Sequence, residues 1–295
     1  MNALWSTVRS TRSMSRSGAI AVAVFTAAVL SATAAAAAAV VITVSPSDNY
    51  VVAIGPSSRG EIAGNYGAPT GLGQTAAELD TVAVDNPDET NWAGIWLHSG
   101  TDNPALPAYL ALADLDELSV WAYRDSSSID KRLPVFRLEI LTNGVAYPML
   151  ELHAEDNPDL TIPDDTWTHL DLTLNGEAQW RIPGGYSDTL FPGQNKELAT
   201  LAEIAAASDA VYGPKQTRIY AVLITQGDYP APVYDSLFTA IDGFRIAAGE
   251  QDLTFDFEAR ALSKDDCKNG GWSTPTSGGP WKNQGECIAA FVTAD

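Results

Sequence analysis

Residues 133–152, LPVFRLEILTNGVAYPMLEL, limit what this chain can fold into more than any other stretch. Two apolar-rich runs meet at Asn143-Gly144, and because Asn and Gly tolerate positive φ this pair is a strong hairpin signal. Loop length sets the register, and a slip of one residue turns every side chain to the opposite face. A two-residue loop places Glu151 across from Phe136, a poor pair. A three-residue loop, Thr142-Asn143-Gly144 with Gly144 left-handed, separates the faces better and is the register expected here. Phe136, Leu138 and Ile140 then share a dry face with Ala146, Pro148, Leu150 and Leu152. Arg137, Glu139, Tyr147 and Glu151 share the other with Val135, Leu141 and Met149.

Around this hairpin lie further short strand candidates: 40–44, 50–54, 79–84, 92–97, 108–112, 118–124, 167–174, 178–182, 217–225, 238–246 and 253–257. Turn clusters rich in Asp, Asn, Gly and Pro separate them, with Asn175-Gly176 as a second hairpin signal and GNYGAPTGLGQ as a Gly-rich connection. Asp-Asn-Pro recurs as turn chemistry, since a residue before Pro avoids the α region. Many short alternating strands indicate an all-β, jelly-roll-like antiparallel β-sandwich. Residues 197–207, ELATLAEIAAA, space their apolar residues helically and predict one short helix.

The ends of the chain differ in kind. Arg9, Arg12 and Arg16 precede an apolar run from Ala19 and then small residues to Ala39, the order of a secretory signal peptide. Residues 1–39 are read as that leader, 40–260 as the sandwich and 261–295 as a C-terminal tail. An uncleaved leader would be the membrane contact, since the run is long enough to span. The formal net charge is −20, and residues 1–40 hold three Arg and no acid, so the remainder is more acidic still. Such a surface repels nucleic acid phosphates and anionic membranes. The two cysteines, Cys267 and Cys287, bracket a tail rich in Gly, Pro, Asn and Ser. In an oxidising compartment an isolated pair forms one disulfide. Closing a loop of about 20 residues is worth roughly 3 kcal/mol in the chain-entropy model.

Several stretches, taken in order, carry a resemblance: LSVWAYRDSS, FRLEI, PMLELHAED, TWTHLDL, AQW, TLAEIAAASDA, FTAIDGFRI and LTFDFE, followed by CKNGGW and KNQGEC. The chain resembles uncharacterised secreted bacterial proteins with a lectin-like or carbohydrate-module-like jelly roll and a Cys-bounded C-terminal tail. Those relatives often carry Glu-Pro where this chain has Glu151-Leu152, and Trp-Trp where it has Gln179-Trp180. The resemblance implies a fold and a compartment, and no demonstrated activity.

Catalytic signatures are scarce. The sequence has no G-x-S-x-G, H-E-x-x-H, P-loop or Rossmann glycine pattern. His98, His153 and His169 are scattered and read as surface residues rather than zinc ligands. Glu139 and Glu151 share a face in the preferred register and form the one catalytic alternative, a glycan-cleaving carboxylate pair. The leading expectation is a secreted, non-enzymatic module for carbohydrate or another polar cell-surface polymer. Its ligand-binding set is Trp121, Tyr123, Arg137, Glu139, Tyr147 and Glu151, because sugar sites stack a ring on an aromatic and hydrogen-bond hydroxyls with charged groups. Trp121 and Tyr123 sit at i, i+2 and share a face; they join the hairpin only if their strands are neighbours, and a core position competes for Trp121. Trp92, Trp96, Trp167 and Trp180 have apolar neighbours and are expected in the core. No cofactor is implied, although the acidic turns at 85–89 and 155–159 offer hard oxygen ligands for structural calcium, without a D-x-D-x-D-G loop. A structural or adhesive exoprotein that binds no small sugar is the third reading.

Mass spectrometry of the extracellular protein should find an N-terminus within about five residues of Ala39 and no alkylatable thiol. An intact Met1 end contradicts the leader, and two reactive thiols contradict the bridge.

Overall fold

The computed structural model describes residues 40–44, 48, 50–54, 58–82, 91–99, 106, 110–142, 145–228, 236–258 and 283–292. Side chains 145–147, 228, 287 and 290–292 are outside that description. The strands are β1 (Val40–Val44), β2 (Val51–Ile54), β3 (Ser58–Ala63), β4 (Ala76–Thr81), β5 (Asn91–His98), β6 (Leu110–Ala111), β7 (Leu115–Arg124), β8 (Val135–Thr142) and β9 (Val145–Leu152). They continue with β10 (Thr168–Asp171), β11 (Trp180–Arg181), β12 (Leu198–Ala199), β13 (Thr217–Asp228), β14 (Leu237–Ala248) and β15 (Gln251–Phe257). Among the described residues three helices are interspersed: α1 (Gly184–Leu190), α2 (Leu201–Tyr212) and α3 (Gln284–Val292).

The described strands form two sheets, so the all-β sandwich expected from the sequence is present. The first sheet runs β1-β15-β14-β4-β3, with β7 and β10 added on the other side of β14. The second runs β12-β11-β9-β8-β13-β5-β2, with β6 continuing the line of β5 along β13. Ile241, Phe244, Phe255 and Phe257 of the first sheet and Phe136, Leu138, Ile140, Ile95 and Ile224 of the second are buried in one core.

Strand β14 organises the first sheet. Its first half, Leu237–Ile241, pairs with β4, and its second half, Phe244–Ala248, pairs with β15. Strand β7 runs along its other edge, with an irregularity between Asp242 and Arg245. Asp242 sits where the partners change. Its Oδ1 accepts the Gly243 N–H at 2.7 Å and the Phe257 N–H at 3.0 Å. Gly243 has φ 52°, which favours glycine, and a Cβ there would stand 2.4 Å from Leu72 Cδ1, so the end of that side chain would have to shift.

The hairpin answers the register question in an unexpected way. Thr142 pairs with Val145 and Leu141 with Ala146, which is the two-residue register at the turn. The register then shifts, with residues 147 and 148 opposite Ile140, and resumes as Glu139 with Met149, Arg137 with Glu151 and Phe136 with Leu152. A bulge has replaced the expected third loop residue. Pro148 has no N–H to give a ladder, so the shift falls where a proline is tolerated. The outcome for the faces matches the expectation: Phe136, Leu138, Leu150 and Leu152 are buried, and Arg137, Glu139, Met149 and Glu151 point outward.

Other expectations are corrected. Asn175-Gly176 does not join a hairpin: β10 pairs with β7 in one sheet, whereas β11 pairs with β9 and β12 in the other. The chain changes sheets there through Leu174, Asn175 and Gly176, all at positive φ. The helix predicted over 197–207 begins later, because Thr200 and Glu203 form a reciprocal capping box and residues 198–199 are in β12. Among the described residues the single helix expected becomes three, with α1 and α3 unanticipated. Asn143, Gly144, the acidic turn 85–89 and Cys267 lie outside the described residues, so the turn type and the Cys267–Cys287 bridge are not addressed. Among the described residues no helix is long and apolar enough to cross a membrane.

The change of partners on β14 collects acids. Burial, with Asp256 and Glu258 nearby, pushes the Asp242 carboxyl up to about 8. Burial pushes Asp256 up to about 6, and Glu258 up to about 7. Folded carboxyls raised in this way bind protons that the unfolded chain has released. Their contribution to stability is therefore full below the ordinary carboxyl range and is lost as pH rises through about 6 to about 8. Asp242→Asn keeps an acceptor for Gly243 and Phe257 and removes one titration. Its stability advantage over the wild type should grow from pH ~5 to pH ~9 in urea unfolding. A difference that stays constant with pH contradicts this account.

Candidate functional site

The outward face of the second sheet carries the site. Alternation along each strand and the pairing registers assemble a transverse row. Trp96 pairs with Leu223, Leu223 with Arg137, Arg137 with Glu151, and Glu151 with Arg181. The row thus crosses β5, β13, β8, β9 and β11. A second row beside it holds His98, Ala221, Glu139 and Met149. Trp96 is 44% exposed, which is unusual for so large an apolar side chain.

Glu151 is the hub. Arg137 donates Nε–H to its Oε1 at 2.9 Å and another N–H to Thr225 Oγ1 at 2.8 Å. His153 Nε2 lies 3.0 Å from Oε2 of the same carboxylate. Arg181 turns to the next acids, donating to Asp156 Oδ2 at 2.6 Å and Glu155 Oε1 at 2.9 Å. A polar cleft of about 370 Å³ is lined by Arg137, Glu151, His153, Glu155, Arg181 and Thr225 together with Asp130, Arg132 and Gln226. Each guanidinium here is held by a carboxylate, so the donors are fixed in direction before any ligand arrives.

The two glutamates differ in their surroundings. The His153 hydrogen bond, with help from Arg137 and against partial burial, holds the Glu151 carboxyl below its ordinary value. Burial raises Glu139, with only His98 opposing it. Asp130 is drawn down by Arg132 in spite of its own burial.

The expected ligand-binding set is split. Arg137, Glu139 and Glu151 come together on the second sheet. Trp121 and Tyr123 do not join them, because β7 pairs with β10 and β14 in the first sheet. Neither ring is in the core: alternation buries Val120 and Ala122 and turns both rings to the outer face. Trp121 packs against His169, ring centroids 5.1 Å apart. Tyr123 stacks on Tyr66 at 5.2 Å, lies 5.6 Å from Trp167 and donates its hydroxyl to Asp165 at 3.2 Å. Those rings cover one another and the Gly-rich segment. Tyr147 lies in β9 at the bulge, and its side chain is not among those described.

Trp96, His98, His153, Arg181 and Thr225 were missed as site residues. Trp96 was expected in the core, as were Trp92 and Trp167, which are half-buried; of the four, only Trp180 is fully buried. The available signal was the i, i+2 spacing of Trp92, Gly94, Trp96 and His98, which marks one face opposite Ala93, Ile95 and Leu97. At the second acidic turn, Glu155 and Asp156 are engaged by Arg181. Among the described residues no group of three or more His, Cys, Asp or Glu is arranged to hold a metal ion.

No protein-family model matches this sequence, and no curated protein matches it. The geometry of the site therefore stands as the functional evidence.

The outward placement of Trp96 has a direct consequence. Trp96→Ala should cost under about 1 kcal/mol of stability, whereas Trp180→Ala, in the core, should cost about 3–5 kcal/mol. Urea unfolding of both variants checks this, and equal losses would show that Trp96 is a packing residue.

Proposed function

We propose that the protein is a secreted, non-enzymatic, jelly-roll-like module that binds carbohydrate or another polar cell-surface polymer on the outward face of the second sheet. The observation that carries this reading is the transverse row from the exposed Trp96 to Arg137, Glu151 and Arg181. Strands lie about 4.8 Å apart, so Trp96 and Glu151, three strands apart, are separated by roughly 14 Å along the row. That span suits an oligomer lying across the strands better than a single sugar. An aromatic face offers stacking to the C–H side of a pyranose, and preset guanidinium and carboxylate groups offer hydrogen bonds to its hydroxyls. The leader supplies export and a Cys267–Cys287 bridge fastens the tail in the same reading.

A second reading, a glycan-cleaving enzyme, draws on the opposite displacement of Glu139 and Glu151. They occupy diagonal positions on paired strands, β8 and β9, on one face. Carboxyls pushed in opposite directions divide into an acid and a base, as glycoside hydrolysis requires.

A glycan array with the purified mature protein, paired with a reducing-end assay, tests both. The binding reading expects retention of at least one glycan without new reducing ends. It also expects about tenfold weaker binding, ~1.4 kcal/mol, for Trp96→Ala and for Arg181→Ala. Reducing ends that accumulate, and that disappear in Glu139→Gln, establish the enzyme instead. Silence in both assays overturns both readings.

A further inference from the structure

The polar cleft has a charge balance that the rest of the chain lacks. Acids outnumber bases 37 to 17 over the whole sequence. In the cleft Arg132, Arg137 and Arg181 stand against Asp130, Glu151 and Glu155, so the two signs are equal. Of the seven arginines among the described residues, three line this one cleft. His153 lies between two of the acids, 3.0 Å from Glu151 Oε2 and 3.4 Å from Glu155 Oε1, and its protonation makes the sum positive. The screening length is about 8 Å in physiological salt, so a ligand seated here responds to these groups rather than to the net charge of the protein.

The pairing inside the cleft also leaves donors over. Arg137 gives Nε–H to Glu151 and Nη1–H to Thr225, and its Nη2 has no partner among the described residues. Arg181 gives Nε–H to Asp156 and Nη2–H to Glu155, which leaves Nη1 in the same condition. The two residues stand on either side of Glu151 in the transverse row, two strands and hence roughly 10 Å apart. The Arg137 side chain is 21% exposed and that of Arg181 40%, so neither is sealed from the cleft it lines. A guanidinium favours a carboxylate over a hydroxyl, because a hydrogen bond between two charged groups is about twice as strong as a neutral one.

We infer, on the carbohydrate reading above, that the glycan bound on this face is acidic, with sugars that carry carboxylates, and that these accept from Arg137 Nη2 and Arg181 Nη1. The exposed Trp96, two strands from Arg137, stacks on an uncharged face of the same polymer.

Oligogalacturonate and oligomannuronate are the probes, each paired with its carboxyl-reduced counterpart, so that the members of a pair differ only in carrying a carboxylate or a primary alcohol. Calorimetric titration of the mature protein in physiological salt should show at least one acidic oligomer bound about tenfold or more tighter than its reduced partner. In ~1 M salt, where the screening length falls to about 3 Å, that ratio should shrink. Arg181→Gln, which removes a charge from the cleft, should narrow the ratio several-fold. Arg218→Gln, which removes an exposed arginine of the same sheet outside the cleft, should leave the ratio in place. Reduced oligomers bound as tightly as the acidic ones would overturn the acidic ligand and leave the carbohydrate reading standing. An equal narrowing in both arginine variants would overturn the placement in the cleft. Failure of both acidic oligomers to bind would also overturn the acidic ligand, and the carbohydrate reading falls with it only if the glycan array is silent too.

Discussion

Strand β14 must satisfy more neighbours than a strand has edges, and the structure depends on how it does so. One edge is committed to β7, and the other is divided between β4 and β15. At the division a ladder loses its regular partners, and unpaired backbone N–H groups there would be costly. Asp242 resolves this by accepting two of them, from Gly243 and Phe257, with one oxygen. The same side chain is thereby buried beside Asp256 and Glu258, and its carboxyl becomes hard to ionise. Glu258 in turn accepts from Gln74 N–H and Thr75 Oγ1, so the Gly-rich connection is seated on the acids it covers. Geometry at one backbone irregularity thus fixes both the layout of the sheet and its electrostatic weakness.

The second sheet uses its freedom differently. Its inner face supplies the core, and its outer face is left free to carry charge because the core needs only alternate residues. Arg137, Glu151 and His153 are mutually held, so their positions need no ligand for definition. Fixed donors lose little freedom on binding, which favours recognition of a polar molecule that itself surrenders bound water. Trp96 adds an exposed apolar ring to the same face.

Local pattern carried much of this fold. The hairpin faces followed from alternation, and α2 followed from apolar spacing, whereas its start is set by the Thr200–Glu203 box that spacing alone does not locate. What alternation cannot encode is which strands pair over long range. Trp121 and Tyr123 share a face as their spacing requires, but nothing local says that their strand joins β14 rather than β8. Asn175-Gly176 shows the same limit: a left-handed turn was read correctly as a turn, yet it carries the chain between sheets instead of folding it back. Trp96 was misread because apolar neighbours in a strand belong to the opposite face. The Pro148 bulge was hidden because a two-residue loop followed by a bulge leads to the same faces as a three-residue loop.

The transverse row draws its members from positions 96, 137, 151, 181 and 223, scattered over nearly half the chain. No contiguous peptide contains it, and no pair of strands suffices. A slip of one residue in any of the four ladders would turn a member inward and break the line. The row therefore comes into being only when the sheet is complete, so a partly folded or nicked chain presents no weakened version of it. The row and the finished sheet arise together, and because Arg137 and His153 both lean on Glu151, a change at that one carboxylate would disturb its neighbours as well.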